Sequence, residues 1–192
     1  MSKISVPRIA RIAAGLAVVS AFAAAPVAAQ AADTSLSGTL SAGSLSNTAP
    51  VIAPFGVTLT GLTQTTNVMV GPWSVTDATG TNDGYNVTVT ATAATVNDST
   101  SLAGTGGSLT LTPTTAVAAP GNPASTGPVA QSPQVLSTTG STIDSAVPGT
   151  GQGEWDFAGD SVSPSLAVAI PGDASTGAYS STLTYTTAPP AS

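Results

Sequence analysis

The feature that most constrains the fold is a period-two alternation of apolar and polar side chains. It is clearest from residue 85 to residue 92, where aromatic and aliphatic residues alternate with Asn and Thr. Successive side chains of a strand point to opposite faces, so the pattern predicts a strand with one buried and one solvated face. Similar runs occur near Trp73, near Trp155, at 166–170 and in a final strand at 179–185. Short strands bounded by turn residues predict an all-β protein, specifically an antiparallel β-sandwich.

One long stretch lacks this alternation. Residues 113–153 are rich in Pro, Gly, Ser and Thr and contain few large apolar side chains. Such a composition buries too little surface to offset the entropy of ordering the chain. We therefore predict a single domain with a flexible inserted loop at 113–153, containing at most one short strand at Gln134–Leu136.

The first 31 residues have the pattern of a secretion signal. An Ala-rich apolar run follows three basic residues, Lys3, Arg8 and Arg11. Small residues end the run, which predicts cleavage after Ala31. A membrane anchor is the alternative, but Pro26 interrupts the run and no basic stop-transfer segment follows. We expect a mature domain of residues 32–192, extracellular or on the cell wall, with no membrane insertion.

The predicted mature chain has no basic side chain. It keeps all nine acidic residues and none of the three basic ones, a formal side-chain charge of −9. Nucleic-acid binding needs cationic side chains to neutralise phosphates, so no nucleic-acid partner is expected. Direct attraction to an anionic polymer is excluded for the same reason. Contact with such a polymer must use hydrogen bonds, ring stacking or a bridging cation.

Catalysis is not expected, and no cofactor is predicted. The sequence has no Cys and no His, which removes thiolate and imidazole chemistry. Glu154 and Asp156 flank Trp155 and could be read as the acid and nucleophile of a glycosidase. A hydrolase also needs a group that stabilises developing charge, and residues 32–192 offer no cation for it. Two outward carboxylates on a solvated strand are the simpler interpretation.

Two segments share an aromatic residue followed two positions later by a smaller residue. Residues 73–89 pass from a strand through Asp and a Gly-containing turn to the first pair, and residues 168–189 pass through a Pro-containing hairpin to the second. The pairs are Tyr85 with Val87, and Tyr185 with Thr187. This arrangement resembles the two signatures of WxL-domain cell-surface proteins of Gram-positive bacteria. Tyrosine stands at both positions where that family has Trp.

The resemblance covers nearly all of the predicted mature chain. It implies a surface protein whose β-sandwich binds peptidoglycan or another cell-wall polymer without a covalent link. Other surface proteins are further candidate partners. The Ala-, Thr- and Gly-rich composition favours an actinobacterial host.

The candidate ligand-binding residues are Tyr85, Val87, Tyr185, Thr187 and Trp73. Aromatic rings stack on sugar rings, and a phenol can hydrogen-bond a saccharide hydroxyl. The alternative is that the rings are core residues, because each shares a strand face with aliphatic neighbours. Tyr179 and Trp155 carry the same two interpretations.

A metal site is not predicted, although one loop has oxygen ligands at alternate positions. Asp77 and Asp83 precede Gly84 with two Thr residues between them. Oxygen ligands at such spacing can hold calcium, but the loop has no distal bidentate Glu. Asn-Asp-Gly is common hairpin chemistry, so a turn is the preferred interpretation.

A structural role is the alternative function. A β-protein of this kind could form fibres or a matrix through its sheet edges, or act as an adhesin. Binding of a monomer to insoluble walls favours the first function, and concentration-dependent polymerisation favours the second.

Overall fold

A computed structural model of the 192-residue chain describes residues 37–96, 100–102, 106–123, 126–157 and 166–190. The predicted signal, residues 1–31, lies outside them. The strands are β1 Leu45–Asn47, β2 Gln64–Val68, β3 Trp73–Asp77, β4 Tyr85–Ala91, β5 Thr95–Val96, β6 Thr100–Ser101, β7 Ser108–Leu111, β8 Val117–Ala118, β9 Val129–Ala130, β10 Gln134–Val135, β11 Ser141–Ala146, β12 Gly153–Phe157, β13 Leu166–Ile170, β14 Tyr179–Ser180 and β15 Leu183–Ala188. Within the described ranges, no helix is long and apolar enough to span a membrane.

Strand β4 shows why the alternating sequence folds as it does. Its apolar residues from Tyr85 to Ala91 are buried, while the Asn and Thr residues between them are half-buried on the other face. Val87 and Val89 are each 0% exposed. Burying a Val side chain stabilises the fold by about 1.5–3 kcal/mol relative to leaving it in water. Burial of the apolar face therefore fixes which side of β4 faces inward.

All strand pairs are antiparallel and form four sheets. Sheet I has the order β1-β3-β12-β8, sheet II β15-β4-β11-β9, sheet III β10-β7-β13-β2, and sheet IV β14-β5-β6. The inner faces of sheets I, II and III contribute to one hydrophobic core. The predicted antiparallel β-sandwich is confirmed.

The predicted inserted loop at 113–153 needs a correction. The segment contributes β8, β9, β10 and β11, and β11 lies inside sheet II between β4 and β9. Ile143 is 1% exposed and Asp144 is 0% exposed. Composition missed β11 because its position is held by backbone pairing on both sides, and Ile143 is its only large apolar residue. The predicted short strand near Gln134 is β10, and irregular connections occupy much of the remaining described segment.

The predicted final strand is also divided in two. Tyr179 belongs to β14 in sheet IV, whereas β15 begins at Leu183 in sheet II. Thr92 lies at the break, where its carbonyl accepts a bond from the Ser181 hydroxyl at 2.7 Å and its hydroxyl accepts one from the Thr182 amide at 2.9 Å. The Thr92 amide also donates to the Thr182 carbonyl at 3.0 Å, so backbone and side-chain bonds together hold the point where the chain passes from one sheet to the other.

Candidate functional site

Tyr85 and Val87 lie in the centre of the core. Both are on β4, flanked by β15 and β11, and both are 0% exposed. A Cβ built on Gly151 would lie 3.0 Å from Cε1 of Tyr85, so the ring is also covered by the loop before β12. Neither residue has a face that a wall polymer could reach in this structure. The geometry favours the core alternative for this pair.

Trp73 and Tyr185 form an aromatic group with Phe157. The rings of Trp73 and Phe157 are stacked with centroids 3.8 Å apart, and Tyr185 is tilted against Trp73 at 5.4 Å. Trp73 is 7% exposed, while Tyr185 is half-buried. Tyr185 comes from sheet II and the other two rings from sheet I, so the group joins the two sheets. The structure thus brings two of the predicted aromatic residues, Trp73 and Tyr185, into contact.

Thr187, Val87 and Asp144 form one row across sheet II. Thr187 pairs with Val87 on β4, and Val87 pairs with Asp144 on β11. A β-bulge between Thr142 and Asp144 makes both Ile143 and Asp144 face inward. A bulge adds a residue to one strand and re-aims its side chains. Sequence alternation gave no sign of Asp144 as a core residue.

The row belongs to a buried polar cluster. The carboxyl oxygens of Asp144, the Tyr85 and Tyr185 hydroxyls and the Thr187 hydroxyl are buried with no hydrogen-bond partner in the structure. Burial raises the pKa of the Asp144 carboxyl from 3.8 to about 8. Burial raises the pKa of Tyr185 to about 12, with Asp144 adding to the effect. The pKa of Tyr85 is raised above its usual range by burial and then by Asp77 and Asp144.

The candidate metal loop has the geometry of a turn. The Oδ1 of Asp77 accepts the Thr79 amide at 3.0 Å and the Thr79 hydroxyl at 2.6 Å. Such bonds to the residue two positions on are how Asp stabilises a turn. Asp77 is 5% exposed, whereas Asp83 is exposed. No group of three potential metal-ligating side chains occurs among the described residues.

Glu154 and Asp156 lie on the outward face of β12. Glu154 is exposed and Asp156 is half-buried, while Trp155 between them is 4% exposed. The indole Nε1 of Trp155 donates to the carbonyl of Gln152 at 3.0 Å. The alternation thus keeps the two acids out of the core. Trp155 is buried in the core, and its indole N–H has a hydrogen-bond partner.

A surface groove away from these residues is lined by two aromatic rings that a ligand could reach, those of Phe55 and Tyr179. We name it the Phe55–Tyr179 groove: two adjoining cavities of about 460 and 490 Å³ that share Phe55, Val57, Leu102, Gly177 and Tyr179. Phe55 is 43% exposed and Tyr179 is half-buried. Phe55 is outside every alternating run of the sequence. Its place between Pro54 and Gly56 was the available signal, because an aromatic residue between two such residues has no regular strand to bury it.

Comparison with known protein families gives a match over the described domain. A family profile described as "WxL domain surface cell wall-binding" matches residues 37–189. The match spans most of the chain, and the protein belongs to the WxL family. Its domain therefore places it at the cell surface as a cell-wall-binding protein, held without a covalent link. No curated protein matches the chain. No solved structure matches it either.

Proposed function

We propose that this protein is exported, loses residues 1–31, and binds peptidoglycan through its β-sandwich without catalysing a reaction. The observation that carries the proposal is the family match, because it runs from residue 37 to residue 189 and so includes every strand of the sandwich. Export is supported by the basic and then apolar leader that ends in small residues before Ala32.

The chemistry of the predicted mature chain supports binding without charge attraction. Residues 32–192 carry nine acidic side chains and no basic ones. Peptidoglycan recognition would then depend on hydrogen bonds and on contact between sugar rings and apolar surface. The same lack of Lys, His and Cys supports a protein that binds the wall and does not cleave it.

Sedimentation with isolated walls tests the proposal. Purified residues 32–192 should co-sediment with purified peptidoglycan and should be recovered intact by denaturant, as expected for a non-covalent complex. A wall preparation stripped of secondary polymers separates peptidoglycan from other wall ligands. Protein that stays in the supernatant with stripped peptidoglycan would contradict the proposed ligand. Intact-mass measurement of the exported protein should give a chain that begins at Ala32.

One observation favours the alternative of a fibre-forming subunit. Val117 on β8 and Val129 on β9 are 60% and 64% exposed, and each lies on an edge strand of its sheet. An exposed edge can accept a strand from another molecule. Both strands have only two residues, however, which limits the backbone hydrogen bonds that an added strand could form. Light scattering over a range of concentrations should therefore show a monomer, and growth into polymers would favour the alternative.

A further inference from the structure

We propose that the Phe55–Tyr179 groove binds an uncharged stretch of a glycan chain, with the rings of Phe55 and Tyr179 as its stacking contacts. This inference rests on the proposed function, because it places the wall-binding site of the domain. It differs from the binding site that the sequence indicated, in which Tyr85, Val87 and Trp73 are buried and Tyr185 and Thr187 are half-buried.

The distribution of aromatic residues supports the location. Trp73, Tyr85, Trp155 and Phe157 are at most 7% exposed, so the core uses these rings. Tyr185 is half-buried but packs against Trp73, and its hydroxyl is buried. Of the aromatic residues that the structure describes, Phe55 and Tyr179 remain, and they line the same groove although they are far apart in the sequence. Ring faces open to solvent are what a sugar ring needs for stacking.

Tyr179 is held in a defined position. Its hydroxyl donates to the carbonyl of Ser175 at 3.0 Å, across the turn that precedes β14. This bond fixes the ring against the segment that forms one wall of the groove. A ring that is already positioned loses little conformational entropy on binding, which favours affinity.

The lining of the groove suits a neutral ligand. None of the described residues that line either cavity is Asp, Glu, Lys or Arg, so the groove carries no charge of its own among those residues. The floor is aliphatic, with Leu166, Val168 and Ile170 of β13 beneath it. Sugar rings present C–H groups on their faces and hydroxyls on their edges. An aliphatic floor with polar groups at the rim matches that division.

The rim supplies the polar groups. Ser175, Thr176 and Ser180 line the groove and are exposed, so their hydroxyls are available to saccharide hydroxyls. An acyl chain is the competing occupant of an apolar groove. It has no use for these hydroxyls, and it gains most from an enclosed apolar site, whereas the Phe55 ring is 43% exposed. The geometry therefore points to a saccharide.

The test uses residues 32–192 and a β-1,4-linked N-acetylglucosamine tetramer as the soluble neutral probe. Calorimetry should detect binding of the tetramer, and the tetramer should compete with isolated walls. Phe55→Ala and Tyr179→Ala should each lower the affinity about tenfold or more, as expected for aromatic contacts at the centre of an interface. Tyr179→Phe keeps the ring and loses only the bond to Ser175, so it should lower the affinity much less than Tyr179→Ala.

Met69→Ala is the matched control. Met69 is 40% exposed, close to the value for Phe55, and does not line the groove. Its replacement should leave the affinity unchanged. Thermal melts of all variants should show an intact fold, since the replaced side chains are partly exposed.

The outcomes separate the two proposals. Wall binding that is insensitive to the tetramer and to Phe55→Ala would overturn the groove and leave the proposed function intact. Binding of the tetramer that depends on Phe55, without binding to stripped peptidoglycan, would support the groove and overturn the proposed function. Failure of both measurements would overturn both. Decanoate that binds in a Phe55-dependent way while the tetramer does not would overturn the saccharide assignment.

Discussion

Trp73 lies face to face on Phe157, with ring centroids 3.8 Å apart and ring planes 8° from parallel. The two residues are also directly opposite each other in the β3–β12 ladder. Cross-strand neighbours on one face are close enough for their rings to touch, and such aromatic pairs contribute beyond the area they bury. Trp73 also contacts the tilted ring of Tyr185. Its side chain therefore packs between sheets I and II.

Replacing Trp73 should therefore act on stability. Trp73→Ala should lower the free energy of unfolding by about 3–5 kcal/mol, because it leaves a large cavity beside Phe157 and Tyr185. Denaturant titration followed by circular dichroism measures this. Val117→Ala is the control, since Val117 is 60% exposed and its change should stay within about 0.5 kcal/mol. Weaker wall binding with unchanged stability would instead identify Trp73 as a ligand contact.

The Tyr85 hydroxyl should be dispensable for folding. It is buried without a hydrogen-bond partner, so Tyr85→Phe should leave stability unchanged or raise it by about 1 kcal/mol. Tyr179→Phe is the chemically matched comparison. It removes the bond to the Ser175 carbonyl and should cost about 0.5–1 kcal/mol. A clear loss of stability in Tyr85→Phe would show that its hydroxyl has a partner in solution.

Asp144 should make the domain less stable as pH rises. Burial raises the pKa of this carboxyl from 3.8 to about 8, so the folded state holds a proton that the unfolded state releases. Its contribution is fully present below about pH 4 and is lost progressively as pH rises toward 8, by about 1.4 kcal/mol per pH unit.

Asp144→Asn tests this effect because it removes the ionisation and keeps the shape. In the parent, the free energy of unfolding should fall from pH 4 to pH 8 because of Asp144. In the variant this fall should be absent, as measured by denaturant titrations at each pH. Asp173→Asn makes the same replacement at an exposed position and is the matched control for the change in net charge. If Asp144→Asn kept the parental pH dependence, Asp144 would not be its source.

Gly84 should be far less replaceable than Gly80. Both have positive φ, 75° and 71°, a conformation that costs an L-residue about 1–2 kcal/mol. A Cβ at Gly84 would also collide with the backbone carbonyl of Ala146, whereas nothing lies within 4 Å of a Cβ at Gly80. Gly84→Ala should therefore cost several kcal/mol more than Gly80→Ala in thermal or denaturant unfolding. Equal costs would show that Gly84 and Ala146 are not in close contact.

Wall binding should strengthen or stay constant as salt is added. Anionic wall polymers and residues 32–192, with nine acids and no basic side chain, repel each other at neutral pH. Salt screens this repulsion over a Debye length of about 8 Å at physiological ionic strength. Lowering the pH toward about 4 should strengthen binding too, because carboxylates lose their charge. Co-sedimentation over a salt series measures the effect, and release by moderate salt would contradict it.

The sequence by itself determined the strands with regular alternation. In β4, β12 and β13 the side chains predicted to share a face are buried together. This succeeds because the two-residue period of a strand is local: backbone geometry alone fixes which residues share a face. The same property made Tyr85 and Val87 readable as core residues, as one of two alternatives. The leader at residues 1–31 lies outside the described residues and stays a prediction, whereas the lack of basic residues after Arg11 can be read directly from the sequence.

The tertiary structure decided what depends on pairing between distant segments. A bulge opposite β4 turns Asp144 inward, against the alternation of β11 itself. Strand β11 enters sheet II because its neighbours supply the backbone bonds and most of the apolar contacts that its own sequence lacks. Phe55 and Tyr179 meet in one groove for a similar reason: irregular segments have no period, and their positions follow from the sheets to which they are connected. The local pattern fixes which residues share a face of a strand. The packing of the whole domain sets strand register, the positions of bulges and which distant residues meet.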